Sequence, residues 1–288
     1  MRCEEKESQD DLTAVANPLM YEEHFGFRTK PFGRTPDPNF LYESPQHREA
    51  LARLEYAVEE KDLALLVGDI GSGKTTLSRA LIDRIGDARP VILIIHPRLS
   101  PAQLVRTIAA GLGITPARFR NDVLDQIHTK LFELYEQGRE PVLMIDEAQL
   151  IPSKATFDEI RLLTNFQLDD QNLLSVILIG QPELENRLGR DAYAALRQRI
   201  GLRYTLGPLS LEETIAYIEH RIRVAGGRNP FSRAAMEEIH ARSGGIPRLI
   251  NTLATTALLD AFGEDARVID PARVAAAARE HRMEQPHG

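Results

Sequence analysis

Residues Gly68-Asp69-Ile70-Gly71-Ser72-Gly73-Lys74-Thr75 set glycines, a lysine and a hydroxyl in the spacing G-x-x-x-x-G-K-[ST]. Glycines let successive backbone N–H groups converge on an anion, and a helix that follows turns its positive end toward the same anion. In such a loop Lys74 reaches the β- and γ-phosphates of a nucleotide, the Thr75 hydroxyl ligates magnesium, and Thr76 extends the phosphate-contacting set. Further on, the apolar run Pro141-Val142-Leu143-Met144-Ile145 delivers Asp146 and Glu147 at its tip. Asp146 is suited to hold magnesium through water, and Glu147 to polarise an attacking water. The chemistry expected is hydrolysis of a nucleoside triphosphate with Mg2+. The remaining histidines show no metal spacing, no G-x-S-x-G elbow occurs, and the lone Cys3 excludes an internal disulfide and a cysteine zinc site.

A phosphate loop works only between a strand and a helix, and the flanking sequence supplies both. Leu63–Val67 reads as a buried strand and Thr75–Ile85 as a helix. Strands follow at Val91–Ile95, Val142–Ile145 and Leu174–Ile179, alternating with helices at Ser100–Leu112, Asn121–Gln137 and Lys154–Asn165. Apolar runs without strict alternation, separated by helices, predict a parallel sheet covered on both faces. After Pro208 only helical patterns appear, at Leu211–Ala225, Ser232–Arg242, Pro247–Phe262 and Pro271–Arg282. The expected organisation is an acidic, flexible tail over 1–20, a nucleotide-binding α/β domain over 21–206, and an all-helical domain over 207–288. Within it, Tyr21–Tyr42 is dense in aromatics and prolines, so it predicts an ordered, non-helical segment packed on a body.

Hydrophobic residues make up 43% of the 288 and charged residues 27%, a globular mix that excludes wholesale disorder. The net charge of −7 argues against coating nucleic acid by bulk charge. Charge is uneven, however: Arg187 to Arg248 holds eleven arginines, no lysine and six acids. That surplus predicts a complementary face for a neighbouring subunit or for nucleic acid. No apolar run reaches the roughly 18 residues of a membrane span, and no secretion signal is visible, so a cytoplasmic location is expected.

Six blocks in order resemble AAA+ ATPases of the ExeA (general secretion pathway protein A) family, relatives of TnsC-like transposition ATPases. They are Phe25-Gly26-Phe27 with Pro31-Phe32, Thr35-Pro36-Asp37-Pro38 with Phe40-Leu41-Tyr42, and Ile145-Asp146-Glu147-Ala148-Gln149. The others are Gly180-Gln181-Pro182-Glu183-Leu184, Leu196-Arg197-Gln198-Arg199-Ile200 and Gly245-Ile246-Pro247-Arg248-Leu249-Ile250-Asn251. The resemblance implies a P-loop NTPase αβα sandwich with a helical lid. It implies Gln181 as the first sensor facing the γ-phosphate, Arg248 as the second sensor on the lid, and Arg197 and Arg199 at the arginine-finger position, with Arg199 favoured. The family usually carries Asn after the second strand to restrain the catalytic glutamate; here His96 occupies that place, either to hydrogen-bond Glu147 or as a packed loop histidine. Phe40 or Tyr42 is expected either near adenine or as a staple between domains. The implied partners are other copies of the chain in a ring or filament, and secretion or envelope assembly proteins. The TnsC-like alternative is a transposase and duplex DNA, with Lys154 and Arg161 as pore residues. Members often add a transmembrane helix and a peptidoglycan-binding module after the lid; neither follows before Gly288, and no direct membrane insertion is expected.

Overall fold

The computed structural model describes residues 21–33, 38–168 and 171–283. The acidic tail and Cys3 therefore lie outside the described residues. The chain opens with one helical turn, α1 (Tyr21–Phe25), then α2 (Pro45–Glu59), β1 (Leu63–Gly68), α3 (Lys74–Ile85) and β2 (Val91–Ile94). Next come α4 (Pro101–Gly111), α5 (Arg120–Glu136), β3 (Val142–Ile145), α6 (Lys154–Leu163), and a small antiparallel pair, β4 (Gln167–Leu168) and β5 (Gln171–Asn172). β6 (Ser175–Gly180), α7 (Pro182–Leu188), α8 (Ala194–Arg197) and β7 (Ile200–Leu206) complete the α/β part. Four helices follow: α9 (Leu211–Val224), α10 (Arg233–Ser243), α11 (Pro247–Gly263) and α12 (Pro271–Met283).

Serine hydroxyls start many of these helices. Ser44, Ser100, Ser153, Ser210 and Ser232 each accept an N–H from the first turn of α2, α4, α6, α9 and α10. Each bond satisfies a donor that has no intrahelical partner.

Five strands form one parallel sheet in the order β2-β3-β6-β1-β7. β1 and β6 are buried at every residue, as central strands with both faces covered should be. Alternate residues feed two cores. Leu63, Leu65, Leu143, Ile145, Val176 and Leu178 pack under α4, α5 and α6, while Ala64, Leu66, Met144, Ile177 and Ile179 pack under α2 and α3.

Two expectations change. The sheet does not end at residue 179: β7 pairs with β1 along its length, so Arg197 and Arg199 precede the last strand instead of following it. β7 is an edge strand in which Ile200, Leu202, Tyr204 and Leu206 alternate with exposed Gly201, Arg203 and Thr205, so it lacks the continuous apolar run that marks the central strands. The aromatic stretch begins with a helical turn, because its first proline, Pro31, lies beyond α1. Tyr21, Phe25, Phe27 and Phe32 also pack into the core of α9–α12, not into the α/β core. Leu41 rests on the α/β core, whereas Phe40 and Tyr42 rest on the helical one, so this stretch staples the two together. Among the described residues no helix is long and apolar enough to cross a membrane.

Candidate active site

β6 lies between β1 and β3, so three strands end side by side at the carboxyl edge of the sheet. In open α/β sheets that edge is where ligands bind. β1 contributes the loop Gly68–Gly73, β3 contributes Asp146 and Glu147, and β6 contributes Gln181 directly between them.

The loop turns through Gly71 (φ 82°) and Gly73 (φ 103°), values that side-chain-bearing residues rarely adopt. Lys74 is 6% exposed, and its Nζ donates to the carbonyls of Gly68 (2.7 Å) and Asp69 (2.8 Å). Burial lowers the Lys74 pKa, opposed first by the nearby Glu147 carboxylate and then by Asp146. Ser72 Oγ is buried in the loop without a hydrogen-bond partner. Such an orphaned hydroxyl beside a buried ammonium fits an anion-accepting loop.

Thr75 Oγ1 donates to Asp146 Oδ2 at 3.3 Å, and Asp146 Oδ1 accepts the Glu147 N–H at 2.8 Å. Burial pushes the Asp146 carboxyl above its usual range, with the Glu147 N–H pulling the other way. A hydroxyl and a desolvated carboxylate meeting from separate elements are the hard oxygen donors a magnesium ion takes. The residues fit that ion.

Glu147 has a left-handed backbone (φ 53°, ψ 36°), uncommon for a residue other than glycine and a form of strain that clusters at functional sites. Its Oε2 accepts from Gln149 Nε2 at 2.5 Å and from Gln181 Nε2 at 3.3 Å. His96 does not take the restraining role: it is exposed, and the two glutamine amides hold the glutamate in its place.

The helical part reaches the loop through α11. The Arg248 N–H donates to Gly71 O at 3.2 Å, and a Cβ on Gly71 would lie 2.4 Å from that of Arg248. The first turn of α11 is therefore seated on the phosphate loop.

Arg197 and Arg199 are not brought to this edge. Ile200 pairs with Leu63 and Leu206 with Gly68, so the arginines sit at the opposite end of β1 from the loop. At about 3.3 Å per residue the separation is roughly 20 Å. Arg197 is spent on the carbonyls of Leu188 and Gly189 at the end of α7. Arg199 is exposed and touches Asn165 Oδ1 at 2.7 Å. Lys154 and Arg161 both turn to Asp158, at 2.6 and 4.0 Å, which offsets their charge. The arginine surplus is also divided: Arg221 is buried against Pro31 O and the Phe40 ring, and Arg233 and Arg242 pair with Glu212, Glu237 and Glu238.

Two site neighbours are given no role by the sequence alone. Gln149 was legible only as part of a motif. His47 is buried on α2, with Nδ1 2.8 Å from Ser44 Oγ and Nε2 3.2 Å from where a Gly73 Cβ would stand. Burial lowers the His47 pKa.

Residues 58–188 match the family described as AAA domain. They run from the end of α2 to the end of α7, so the chain carries an AAA domain, with the first turn of α11 seated on its phosphate loop. It is 37% identical over 274 residues to General secretion pathway protein A of Aeromonas hydrophila, covering 91% of this chain and 48% of that protein. The ExeA-type resemblance thus extends over nearly the whole chain, which spans about half the length of this curated relative. In fold it is similar to Drosophila ORC bound to DNA (TM-score 0.70, 17% identity, 98% of this chain and 71% of that one). It is likewise similar to the Aeropyrum pernix ORC2 protein (TM-score 0.65, 16% identity, 90% of this chain and 72% of that one).

Proposed function

We propose that this chain hydrolyses ATP in a ring or filament of its own copies and uses the cycle to assemble or remodel a secretion or cell-envelope complex. The observation that carries the catalytic part is the meeting of Lys74, Thr75, Asp146, Glu147 and Gln181 on three adjacent strand ends. The assembly role is supported by the identity to General secretion pathway protein A.

Loop N–H groups and the buried Lys74 receive the phosphates, and Thr75 with Asp146 hold the magnesium. When bound, that ion neutralises charge on the β- and γ-phosphate oxygens. Glu147 takes a proton from the attacking water as the water approaches the γ-phosphorus. Gln181, on the strand between loop and acid, donates to the γ-phosphate. Arg248 closes over the nucleotide from α11.

Among the described residues, this subunit does not bring its finger arginine to its own phosphate loop. Its own Arg199 lies roughly 20 Å away along β7. A head-to-tail neighbour can present Arg199 there, because heterologous contacts join different faces of identical subunits. Fingers supplied in trans are worth roughly 10³–10⁵ in rate. Arg197, tied to the end of α7, serves to hold the finger segment.

A mixing experiment tests this. Arg199→Ala should bind ATP nearly normally and turn it over poorly, and Lys74→Ala should neither bind nor turn over. Mixed, the two should recover activity at interfaces that join an intact loop to an intact finger. A silent mixture, or wild-type specific activity that is flat from monomer to oligomer concentrations, would defeat the trans assignment.

A further inference from the structure

Gln149 is the middle residue of the short 3-10 helix Ala148–Leu150 that follows Glu147, and its side-chain amide is held at both ends. Its Oε1 accepts the backbone N–H of Gln181 at 3.1 Å. A backbone N–H can only donate, so this bond fixes which way the amide faces. The Nε2 end must then point to Glu147, where it lies 2.5 Å from Oε2. The main chain of the same segment is anchored as well. Arg187 Nη1 donates to the carbonyl of Ile151 at 2.6 Å and reaches that of Gln149 at 3.5 Å. The Arg187 guanidinium in turn lies over the rings of Phe157 (4.9 Å) and Tyr193 (5.6 Å).

The consequence for Glu147 is geometric. Gln181 Nε2 shares the same Oε2, so that oxygen has two amide donors and the free lone pairs belong to Oε1. If Gln181 turns its amide to a γ-phosphate it can leave Glu147, whereas Gln149 cannot leave without also breaking its bond to the β6 end. Gln149 is therefore the donor that stays. The left-handed backbone of Glu147 is a strained conformation that persists only where its surroundings hold it, and the Gln149 amide is part of those surroundings.

We propose that Gln149 is the positioning residue that orients the Glu147 carboxylate and ties it to the Gln181 strand. This rests on the reading of Glu147 as the base. The bond to Gln181 N–H and the bond to Glu147 are separable by substitution. Gln149→Glu keeps an acceptor for the Gln181 N–H but replaces the donor to Glu147 with a second carboxylate. Like charges at that distance disfavour both being ionised in place.

The experiment measures ATP affinity, turnover and melting for wild type, Gln149→Glu, Glu147→Gln and the double variant. Gln149→Glu should bind ATP within about twofold of wild type and lose tenfold or more in turnover, by the general scale of acid–base catalysis. It should also melt lower. The double variant restores a donor–acceptor pair with its polarity reversed, so melting should recover while turnover stays low. Gln149→Ala, should Gln149→Glu not fold, should lose at least about fivefold in kcat with KM little changed, again on that scale. Turnover of Gln149→Glu or Gln149→Ala within twofold of wild type, with Glu147→Gln silent, overturns the inference and leaves the base intact. Melting of the double variant no better than Gln149→Glu alone also counts against it. If Glu147→Gln itself turns over normally, the base assignment fails first and the inference falls with it.

Discussion

The seat of the lid on the phosphate loop is built from two consecutive glycines, and substituting each in turn separates conformational strain from collision. Gly244 (φ 60°) and Gly245 (φ 76°) link α10 to α11, and Gly245 O accepts the Leu209 N–H at 2.9 Å. A Cβ on Gly244 would meet nothing within 4 Å. Gly244→Ala should therefore cost only the left-handed backbone, roughly 1–2 kcal/mol. A Cβ on Gly245 would stand 2.0 Å from Leu209 O and 3.0 Å from Leu209 C and N. These are main-chain atoms, so relief requires the whole connection between β7 and α9 to back away. That movement breaks the Leu209 bond, at about 1 kcal/mol net, and adds an overpacking cost of roughly 1–3 kcal/mol. Gly245→Ala should then be less stable than Gly244→Ala by about 3 kcal/mol, a melting difference of roughly 6–12 °C for a chain of this size. Because Gly245 lies three residues before Arg248, in the α10–α11 link that carries it to Gly71, Gly245→Ala should also lose ATP affinity by about tenfold, equivalent to the roughly 1.4 kcal/mol of one displaced contact. Scanning calorimetry and nucleotide titration of both variants provide the readout. Equal melting of the two, or Gly245→Ala binding ATP like wild type, would refute the idea that close packing at Gly245 seats the lid.

Lys74→Ala should abolish ATP binding, whereas Glu147→Gln should bind and fail to hydrolyse, since only the first residue contacts phosphate before reaction; separate affinity and turnover measurements check this, and turnover by Glu147→Gln would remove its role. A pH effect follows from His47, whose folded pKa lies below 6.5 because burial disfavours the charged ring. A depressed pKa means that the fold excludes a proton the unfolded chain binds, so this stability is present above pH 6.5 and lost as pH falls below it. Glu213 and Glu43, the acids that act on His47, oppose the shift, and His220, lowered chiefly by burial, adds a slope of the same sign. The melting temperature of His47→Gln should fall less than that of wild type between pH 7 and pH 5, as followed by circular dichroism; parallel curves would exclude His47 as a contributor.

Local chemistry made much of this protein legible in its sequence. The loop Gly68–Thr75 could be read because its function depends on backbone freedom and on side chains a few residues apart, which spacing alone expresses. The Asp146–Glu147 pair could be read because an apolar strand must carry it, and the order of strands and helices because buried runs and helical periods alternate. Interactions between distant segments were not written that way. β7 escaped notice because an edge strand needs only half its residues apolar. The aromatic stretch Tyr21–Phe32 carries a composition that demands burial but says nothing about which body buries it, and it went to the lid. The position of His96 after β2 left open whether it touches Glu147, and folding brought Gln149 and Gln181 there, because β6 lies between β1 and β3 and brings two amides to one carboxylate oxygen. Arg197 and Arg199, two residues apart on one segment, parted for a similar reason: the carbonyls at the end of α7 captured one guanidinium and left the other at the surface. Spacing along the chain determines what a segment can do, and the order of strands in the sheet decides which segments meet.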